Sequence, residues 1–140
     1  MYRILETRSL VNRIHQFRIA APEVASKARA GQFCIIRVDE NGERIPLTLA
    51  DWDKADGSVT VVFMETGTTT TRLARLKAGD AIADLAGPLG NPTDIENFGT
   101  VILVSGGFAA ATISPIARAM KIAGNTVYSI IGARSKDLLF

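Results

Sequence analysis

Two short stretches carry the residue types from which a cofactor site could be built. The first, residues 44–51, is mostly apolar and β-prone, with one proline, Pro46, and one hydroxyl, Thr48. Because proline cannot donate to a strand ladder, we expect this stretch at a sheet edge or at the mouth of a barrel. The second, residues 67–72, begins with Gly67 and continues with four threonines. It lies at a predicted strand-to-helix junction, where backbone N–H groups and the helix dipole favour an anion.

Together the two stretches offer a flat apolar ledge with one hydroxyl beside a phosphate cradle. This combination suits a flavin dinucleotide, and that ligand is our first hypothesis. Each stretch also has a plainer interpretation. The first could be only an edge strand, and the threonines could serve only to cap a helix, as threonine commonly does.

Length and composition bound the class of protein. The 140 residues are 47% hydrophobic and 21% charged, with a formal net charge of +2, as in ordinary folded proteins with a real core. The sixteen basic residues are scattered, so we expect no nucleic-acid-binding surface. No apolar run reaches the roughly 18 residues of a membrane-spanning helix, and the N-terminus has no signal-peptide pattern. We therefore expect a cytoplasmic protein without a membrane span.

Cys34 and His15 are the only cysteine and the only histidine. One cysteine excludes intrachain disulfides and a four-cysteine iron–sulfur site within this chain, and one histidine leaves no obvious zinc set. Cys34 lies in an apolar run, so we interpret it as a buried core thiol rather than a reactive one. His15 is interpreted as a strand-face residue rather than a base, Arg72 as a solvated helix residue, and Asp51 as a turn residue.

Apolar runs separated by turn signals predict short strands before residue 86. The run 33–38 is nearly continuously apolar, so we expect it to be buried on both faces. Asn41-Gly42 and Asp56-Gly57 suit tight hairpins. This pattern favours a compact antiparallel barrel. The predicted strands are two within residues 1–20, with a turn near residues 11–12, and one each at 33–38, 44–51, 59–64 and 80–85; the predicted helices begin at Pro22 and Thr69.

The pattern changes after the glycine- and proline-rich segment 87–92, which we interpret as a boundary. Strand runs at 100–104 and 127–131 flank a predicted helix, and this βαβ order indicates the beginning of a parallel sheet. We expect Pro115 in the first turn of that helix and Gly124 at its end.

We therefore predict a β-barrel domain at residues 1–90 and an incomplete α/β domain at residues 98–140. Two parallel strands and one helix bury little surface, so we expect a truncated chain or a C-terminal part that docks on a partner or forms oligomer contacts. The alternative is that the apolar end, residues 138–140, packs back on the barrel.

Six motifs run in the same order as in a known family, over essentially the whole chain. Because of these six motifs, the chain resembles the ferredoxin-NADP reductase-like flavoprotein subunits. Among these are the small subunits of NADH-dependent ferredoxin:NADP oxidoreductase and sulfide dehydrogenase, and the electron-transfer subunit of dihydroorotate dehydrogenase. The motifs are Ala30-Gly31-Gln32-Phe33, Arg44-Ile45-Pro46-Leu47-Thr48, Gly67-Thr68-Thr69-Thr70, Gly87-Pro88-Leu89-Gly90-Asn91, the glycine turn and helix of Val104–Met120, and Ile131-Gly132-Ala133-Arg134.

The resemblance implies an all-β antiparallel FAD-binding barrel followed by the first βαβ part of a Rossmann-like α/β domain that binds a nicotinamide nucleotide, NAD(P). It implies that FAD lies against five residues of the barrel, with the Thr48 hydroxyl near its reactive nitrogen. It also implies a pyrophosphate site and a second phosphate site. The implied flavin contacts are Pro46, Leu47, Thr48, Phe63 and Met64; the pyrophosphate contacts are Gly67, Thr68, Thr69, Thr70 and, as a further candidate, Arg44; Gly106 and Gly107 face the phosphates of the nicotinamide nucleotide.

The chain departs from the family pattern at several of these motifs. Ile45 stands where the wider family has arginine, and Leu47 where relatives often have tyrosine. Ser105, Ala109 and Thr112 replace residues that are usually glycine, glycine and proline, and added side-chain atoms restrict φ and close backbone approach. The cysteines that bind a [2Fe–2S] cluster in relatives are absent, so we expect no cluster on this chain.

The resemblance implies a flavoprotein subunit of an oxidoreductase. FAD would exchange a hydride with a nicotinamide nucleotide and single electrons with an iron–sulfur partner subunit. Because the flavin carries this chemistry, no side-chain acid or base is needed. A second hypothesis is a binding or assembly module with a degenerate nucleotide site, and a third is a cofactor-free barrel.

Overall fold

Seven strands form one curled antiparallel sheet in the computed structural model, which describes all of residues 1–140. The strands are β1 (Tyr2–Val11), β2 (Ile14–Ala20), β3 (Phe33–Arg37), β4 (Arg44–Asp53), β5 (Ser58–Met64), β6 (Ala81–Ile82) and β7 (Asp84–Leu89), and two short helices, α1 (Pro22–Lys27) and α2 (Thr68–Ala74), connect them. Their order in the sheet is β6-β1-β2-β5-β4-β3-β7. The predicted hairpins and both small helices are thereby confirmed.

Alternate apolar side chains of these strands meet in the main core. On β2, Phe17 and Ile19 are buried opposite Val61 and Val59 of β5. The rings of Phe17 and Phe63 pack edge to face, with centroids 5.2 Å apart. Each such side chain contributes about 1.5–3 kcal/mol on full burial, so this face accounts for much of the stability of the sheet.

The strand β3 differs from expectation because its burial alternates. Cys34 and Ile36 are fully buried, whereas Phe33, Ile35 and Arg37 are only partly buried. The strand pairs with β4 and β7 in an antiparallel sheet, and one face of such a sheet commonly remains open to solvent. The expectation of burial on both faces is therefore wrong, while the interpretation of Cys34 as a core thiol is confirmed.

The prediction of a single strand at 80–85 is also wrong, because the chain passes from one edge of the sheet to the other within this segment. β6 pairs with β1 and β7 pairs with β3, which places them at opposite edges of the sheet. Only Ala83 lies between them, and its N–H donates to the Val38 carbonyl. Since one residue spans less than 4 Å, the two edges must approach each other at Ala83, and this closes the curl of the sheet.

The β7 strand extends through part of the expected boundary. Gly87, Pro88 and Leu89 belong to this strand, and the segment without helix or strand is 90–99. Glycine at position 87 avoids a tight contact, because a Cβ there would lie 3.1 Å from the Cβ of Cys34. The division of the chain at residues 90 and 98 stays a prediction.

The last 41 residues form a two-stranded parallel sheet with one helix, as the βαβ pattern predicts. They comprise β8 (Thr100–Gly106), α3 (Ala109–Ile122), β9 (Thr126–Gly132) and a 3-10 turn at Lys136–Leu138. β8 and β9 pair from Thr100 with Thr126 to Gly106 with Gly132. None of the helices is both long and apolar enough to cross a membrane.

The helix α3 begins at Ala109, so Pro115 lies inside it, whereas the prediction placed Pro115 in its first turn. The turn at Gly107, with φ of 58°, lets the helix start at Ala109, and the alanines that follow favour helix. Pro115 cannot donate to the carbonyl four residues earlier. The expected end is confirmed: Gly124 has φ of 93°, and the Asn125 N–H donates to the Met120 carbonyl.

One face of the parallel sheet is open. Four apolar side chains on it are more than half exposed: Ile102, Val104, Tyr128 and Ile130. α3 packs against both strands and also against β4. The helix is thus the element that joins the two sheets.

Burial raises the pKa of Cys34 to about 12, which provides a test of the packing around β3. At pH 8 the thiolate fraction would be about 10⁻⁴, and the thiolate is the reactive species. We expect Cys34 in the native protein to react with a disulfide reagent at least 100-fold more slowly than in the urea-unfolded protein. Labelling at equal rates in the two states would contradict the buried position.

Candidate functional site

The strand β4 changes partners along its length, and this opens a cavity. Its first half pairs with β3, from Arg44 to Thr48, but it pairs with β5 only from Leu49 onward. β5 itself continues to Met64 in the opposite direction, alongside β2. The first half of β4 is therefore separated from the end of β5, and Pro46 lies in this one-sided part, where a missing N–H is tolerated.

The resulting hollow, which we call the β4–β5 cavity, has a volume of about 360 Å³. It brings together six of the residues predicted for the flavin and its pyrophosphate: Pro46, Leu47, Thr48, Phe63, Met64 and Thr70. Its remaining lining residues are Ile45, Val62, Thr66, Phe108 and Thr112. Leu47, Thr48 and Met64 are half-buried, whereas Phe63 is 1% exposed and only borders the space.

The threonine run lies at the start of α2, and its residues have different roles. The Thr70 hydroxyl accepts hydrogen bonds from the N–H groups of Thr66 and Gly67, at 3.0 and 3.1 Å, and donates to the Gly67 carbonyl. Thr69 is buried, with its hydroxyl 3.4 Å from Glu43 Oε2. Thr68 is exposed. Thr70 therefore caps its own helix, which is the plainer interpretation of the run.

Space for a charged group remains at this helix end. A Cβ on Gly67 would meet no atom within 4 Å, so the approach to the helix is open. The first N–H groups of a helix have no intrahelical acceptor, and here they are those of Thr68 and the residues after it. The positive end of the helix dipole adds to their attraction for an anion.

The two arginines near these motifs point elsewhere. Arg44 donates to Asp84 Oδ2 at 2.6 Å, and this hydrogen bond lowers the pKa of the Asp84 carboxyl below its ordinary value. Arg72 lies 3.4 Å from Asp39 Oδ2. Neither arginine lines the β4–β5 cavity. The structure therefore does not bring Arg44 to the cavity residues with which it was grouped.

A second hollow, the β8–β9 cavity, lies at the carboxyl ends of the two parallel strands and has a volume of about 650 Å³. Gly106 and Gly107 line it, and a Cβ at either glycine would meet no atom within 4 Å. The Gly107 N–H donates to the Gly132 carbonyl at 2.8 Å, which holds the two strand ends together. Arg134 is the one charged residue of the lining. In open parallel sheets this is the edge at which ligands bind.

The two cavities are adjacent. Met64 and Phe108 line both of them, and they share no other residue. Phe108 is half-buried and packs on a small apolar cluster of Ile14, Ala50 and Val62. The two cavities therefore meet at Met64 and Phe108.

Comparison with known proteins agrees with this geometry. A homologue of the electron transfer subunit of dihydroorotate dehydrogenase B (NAD(+)) from Thermotoga maritima is 47% identical over 136 residues, which cover 97% of this chain and 48% of the relative. A solved structure of an NADH-dependent reduced ferredoxin-NADP oxidoreductase, described in terms of flavin-based electron bifurcation, superimposes with a TM-score of 0.97. It is 45% identical, with 100% of this chain and 51% of that chain covered.

The chain has the ferredoxin-NADP reductase-like fold and is similar in sequence to both of these proteins. More distant structures share the fold alone. One is phthalate dioxygenase reductase, at 19% identity and a TM-score of 0.79, with 98% of this chain and 44% of that chain covered. No protein-family model matches the chain. The chain spans about half the length of the curated relatives it matches.

Within this ferredoxin-NADP reductase-like fold, an ion pair holds the helix α3 on the antiparallel sheet. Arg118 donates to both carboxylate oxygens of Asp51, at 2.7 and 3.2 Å. Both side chains are about half exposed, so the pair contributes about 0.2–1 kcal/mol. The interpretation of Asp51 as only a turn residue is wrong, because Asp51 lies within β4 and its side chain pairs with Arg118 of α3.

The linker between β5 and α2 is held by a pair that the sequence analysis did not anticipate. His15 Nε2 lies 2.6 Å from Glu65 Oε1, and the His15 ring packs near Phe63. Arg13 donates to the Glu65 carbonyl. His15 is a strand-face residue, as expected, and these contacts also position the segment that leads to Gly67.

Sequence reasoning also missed Phe108, Thr112 and Arg134 as lining residues. Arg134 lies just past the end of a parallel strand, so it could have been predicted as a contact for a phosphate. Phe108 carried no such signal, because a lone aromatic after two glycines reads as a packing residue. The Thr112 hydroxyl bonds within its own helix, donating to the Ala109 carbonyl at 2.8 Å.

The capping role of Thr70 can be tested with an isosteric change. Thr70→Val removes the acceptor of two N–H groups, so we expect a loss of about 1–2 kcal/mol in the free energy of unfolding by urea. Thr71→Val is the matched control, because the Thr71 hydroxyl has no such role and valine keeps the β-branched shape. Equal losses in the two variants would contradict the capping role.

Proposed function

We propose that the chain binds FAD in the β4–β5 cavity and a nicotinamide nucleotide in the β8–β9 cavity. In this proposal it is part of an oxidoreductase that passes electrons between NAD(P)H and an iron–sulfur partner subunit. The antiparallel sheet is then an FAD-binding barrel over residues 1–90. The α/β part over residues 98–140 is the beginning of a Rossmann-like nucleotide domain.

The observation that carries the proposal is the adjacency of the two cavities across Met64 and Phe108. Hydride transfer needs reacting atoms within about 3–3.5 Å of each other, so the two ligands must occupy neighbouring sites. Two homologues support the proposal. One is named an electron transfer subunit, and the other is described in terms of flavin-based electron bifurcation.

The residues of the β4–β5 cavity fit a flavin ring. Pro46 and Leu47 present an apolar surface, and Met64 closes the opposite side. The half-buried Thr48 hydroxyl makes no hydrogen bond to another side chain and is available to a ring nitrogen. Bound FAD would supply the redox chemistry, taking up electron pairs from a nicotinamide and passing them on singly. The chain itself contributes binding, orientation and exclusion of water.

The open helix end at Gly67 fits the pyrophosphate. Backbone N–H groups at the start of α2, including that of Thr68, would hold its oxygens without a cationic side chain. We propose Gly67, Thr68 and Thr69 for this contact, with Thr70 acting mainly by fixing the turn. Arg44 would have to leave Asp84 before it could take part.

The β8–β9 cavity fits the phosphates of a nicotinamide nucleotide. Gly106 and Gly107 leave room for close approach, and Arg134 adds the positive charge. Ser105 lies next to them in β8, with a buried hydroxyl that has no hydrogen-bond partner. This hydroxyl does not line the β8–β9 cavity, so we assign it no contact with the nucleotide.

The absorption spectrum of the purified chain, before and after addition of FAD and gel filtration, tests the first half of the proposal. We expect flavin bands that remain with the protein. Anaerobic addition of NADH or NADPH then tests the second half, through bleaching of these bands. Bound flavin that neither nucleotide reduces would instead indicate a binding module with a degenerate nucleotide site. No flavin after reconstitution would contradict the proposal.

Thr48→Val tests the hydrogen bond to the flavin. Losing one such bond in the reacting complex corresponds to about a 2- to 10-fold slower reduction by the nicotinamide nucleotide, with FAD still bound. Stopped-flow absorbance at saturating nucleotide measures this rate. Thr60→Val, on β5 outside both cavities, is the control and should keep the original rate. An unchanged rate in Thr48→Val would contradict the assigned contact.

A further inference from the structure

The short segment that leads from β5 to the helix end at Gly67 is fixed at both of its ends. Glu65 follows the last residue of β5, and its N–H donates to the Arg13 carbonyl at 2.9 Å. Two residues later the Gly67 N–H donates to the Thr70 hydroxyl, as the Thr66 N–H does. Because two residues span at most about 7 Å, the position of Glu65 limits where Gly67 can lie.

The Glu65 side chain is held on the antiparallel sheet by His15. His15 Nε2 lies 2.6 Å from Glu65 Oε1, and the two side chains are only 16% and 25% exposed. A carboxylate can only accept a hydrogen bond, so Nε2 carries the hydrogen. The His15 ring lies beside the buried Phe63 ring, with centroids 5.6 Å apart. The bond thus joins the segment to a residue that packs on the core.

Arg13 holds the backbone of the same glutamate. It lies in the turn between β1 and β2 with φ of 61°, and it is the only residue other than glycine with a positive φ. A left-handed backbone is unfavourable for a residue with a side chain, so it persists where contacts hold it. Here the Arg13 guanidinium donates to the Glu65 carbonyl. The backbone and the side chain of Glu65 are therefore both bound to residues at the start of β2.

We propose that His15 and Glu65 form a positioning pair for the pyrophosphate of FAD. The inference rests on the proposed function, because it concerns the helix end at which that pyrophosphate would bind. The N–H groups of Thr68 and Thr69 can hold an anion only while the turn before them keeps its place. Neither member of the pair lines the β4–β5 cavity, so the pair acts through residues 65–67.

The expected size of the effect follows from how often the helix end is in its binding position. Without the hydrogen bond, the segment occupies other positions for part of the time. The apparent Kd rises by the inverse of the fraction that stays competent. A competent fraction of about one third to one tenth corresponds to FAD binding that is about 3- to 10-fold weaker.

His15→Leu is the first test, with FAD titrated into the full chain by calorimetry. This change removes the donor, so we expect FAD to bind about 3- to 10-fold more weakly. His15→Gln places an amide donor near the position of Nε2, so FAD binding should return to within about twofold of that of the unaltered chain. Gln16→Leu is the matched control, because Gln16 is the next residue of β2 and lies outside both cavities. It should leave the FAD affinity unchanged.

A double variant shows whether the two residues act through each other. Glu65→Leu removes the acceptor of the hydrogen bond. In this background His15→Leu should weaken FAD binding by less than about twofold, because the bond is already lost. Two losses that add in full would contradict the pair. His15→Phe, which keeps a ring beside Phe63 but has no donor, carries both tests if His15→Leu does not fold.

Amide hydrogen exchange of the chain without FAD tests the positioning in the absence of any ligand. The N–H groups of Thr66 and Gly67 are the reporters, because both bond to the Thr70 hydroxyl. We expect them to exchange at least about fivefold faster in His15→Leu than in Gln16→Leu. The N–H of Val61, in the centre of the sheet, should exchange at the same rate in both variants, which excludes a general loss of stability.

Four results would overturn the positioning pair. Faster exchange with unchanged FAD affinity would make the pair a structural contact without a part in binding. Weaker binding with unchanged exchange would make His15 a direct contact of the ligand. A loss that His15→Gln shares in full would exclude the hydrogen bond as its cause. In each of these cases an unaltered chain that binds FAD leaves the proposed function standing. If the unaltered chain binds no FAD, both proposals fail.

Discussion

The change of partners along β4 is the constraint on which the rest of the structure depends. A strand bonded along its whole length on both sides would leave no space on the sheet between β4 and β5. Here the ladder with β3 ends at Thr48 and the ladder with β5 begins at Leu49, next to a register shift between Leu49 and Asp51. The cavity is the space between these two ladders, and its lining residues come from the separated strand ends.

The same strand also positions the second half of the site. Ala50, at the register shift, belongs to the apolar cluster on which Phe108 packs. The next residue, Asp51, forms an ion pair with Arg118. The start and the middle of α3 are thus both anchored to β4. Because α3 connects β8 to β9, this anchoring sets where the carboxyl ends of the parallel strands lie relative to the β4–β5 cavity.

Most of the local structure could be predicted from the sequence, because apolar runs and turn residues act over short distances. The hairpin signal at Asp56-Gly57 and the helix stop at Gly124 are local in this sense, and the structure confirms both. The crossing at Ala83 is different. It depends on which edge of a finished sheet can accept each half of the segment, and nothing within residues 80–85 encodes that choice.

The candidate site divides in the same way. Pro46, Leu47 and Thr48 are neighbours in one strand, so a pattern in the sequence can group them. The pairing of Arg44 with Asp84 depends on residues 40 positions apart that meet only because β3 lies between their strands. The place of Phe108 depends on the packing of α3 against β4 and β5, which no short motif specifies.

The absence of an acid–base constellation from the sequence follows from the kind of chemistry proposed. When a cofactor carries the reaction, the protein needs apolar walls, one or two hydrogen bonds and backbone N–H groups. In the proposed function, Thr48, the helix end after Gly67 and the turn at Gly106 and Gly107 would meet these needs. Residue types of this sort are common in every protein, so their arrangement in space, and not their identity, distinguishes a cofactor site from an ordinary sheet.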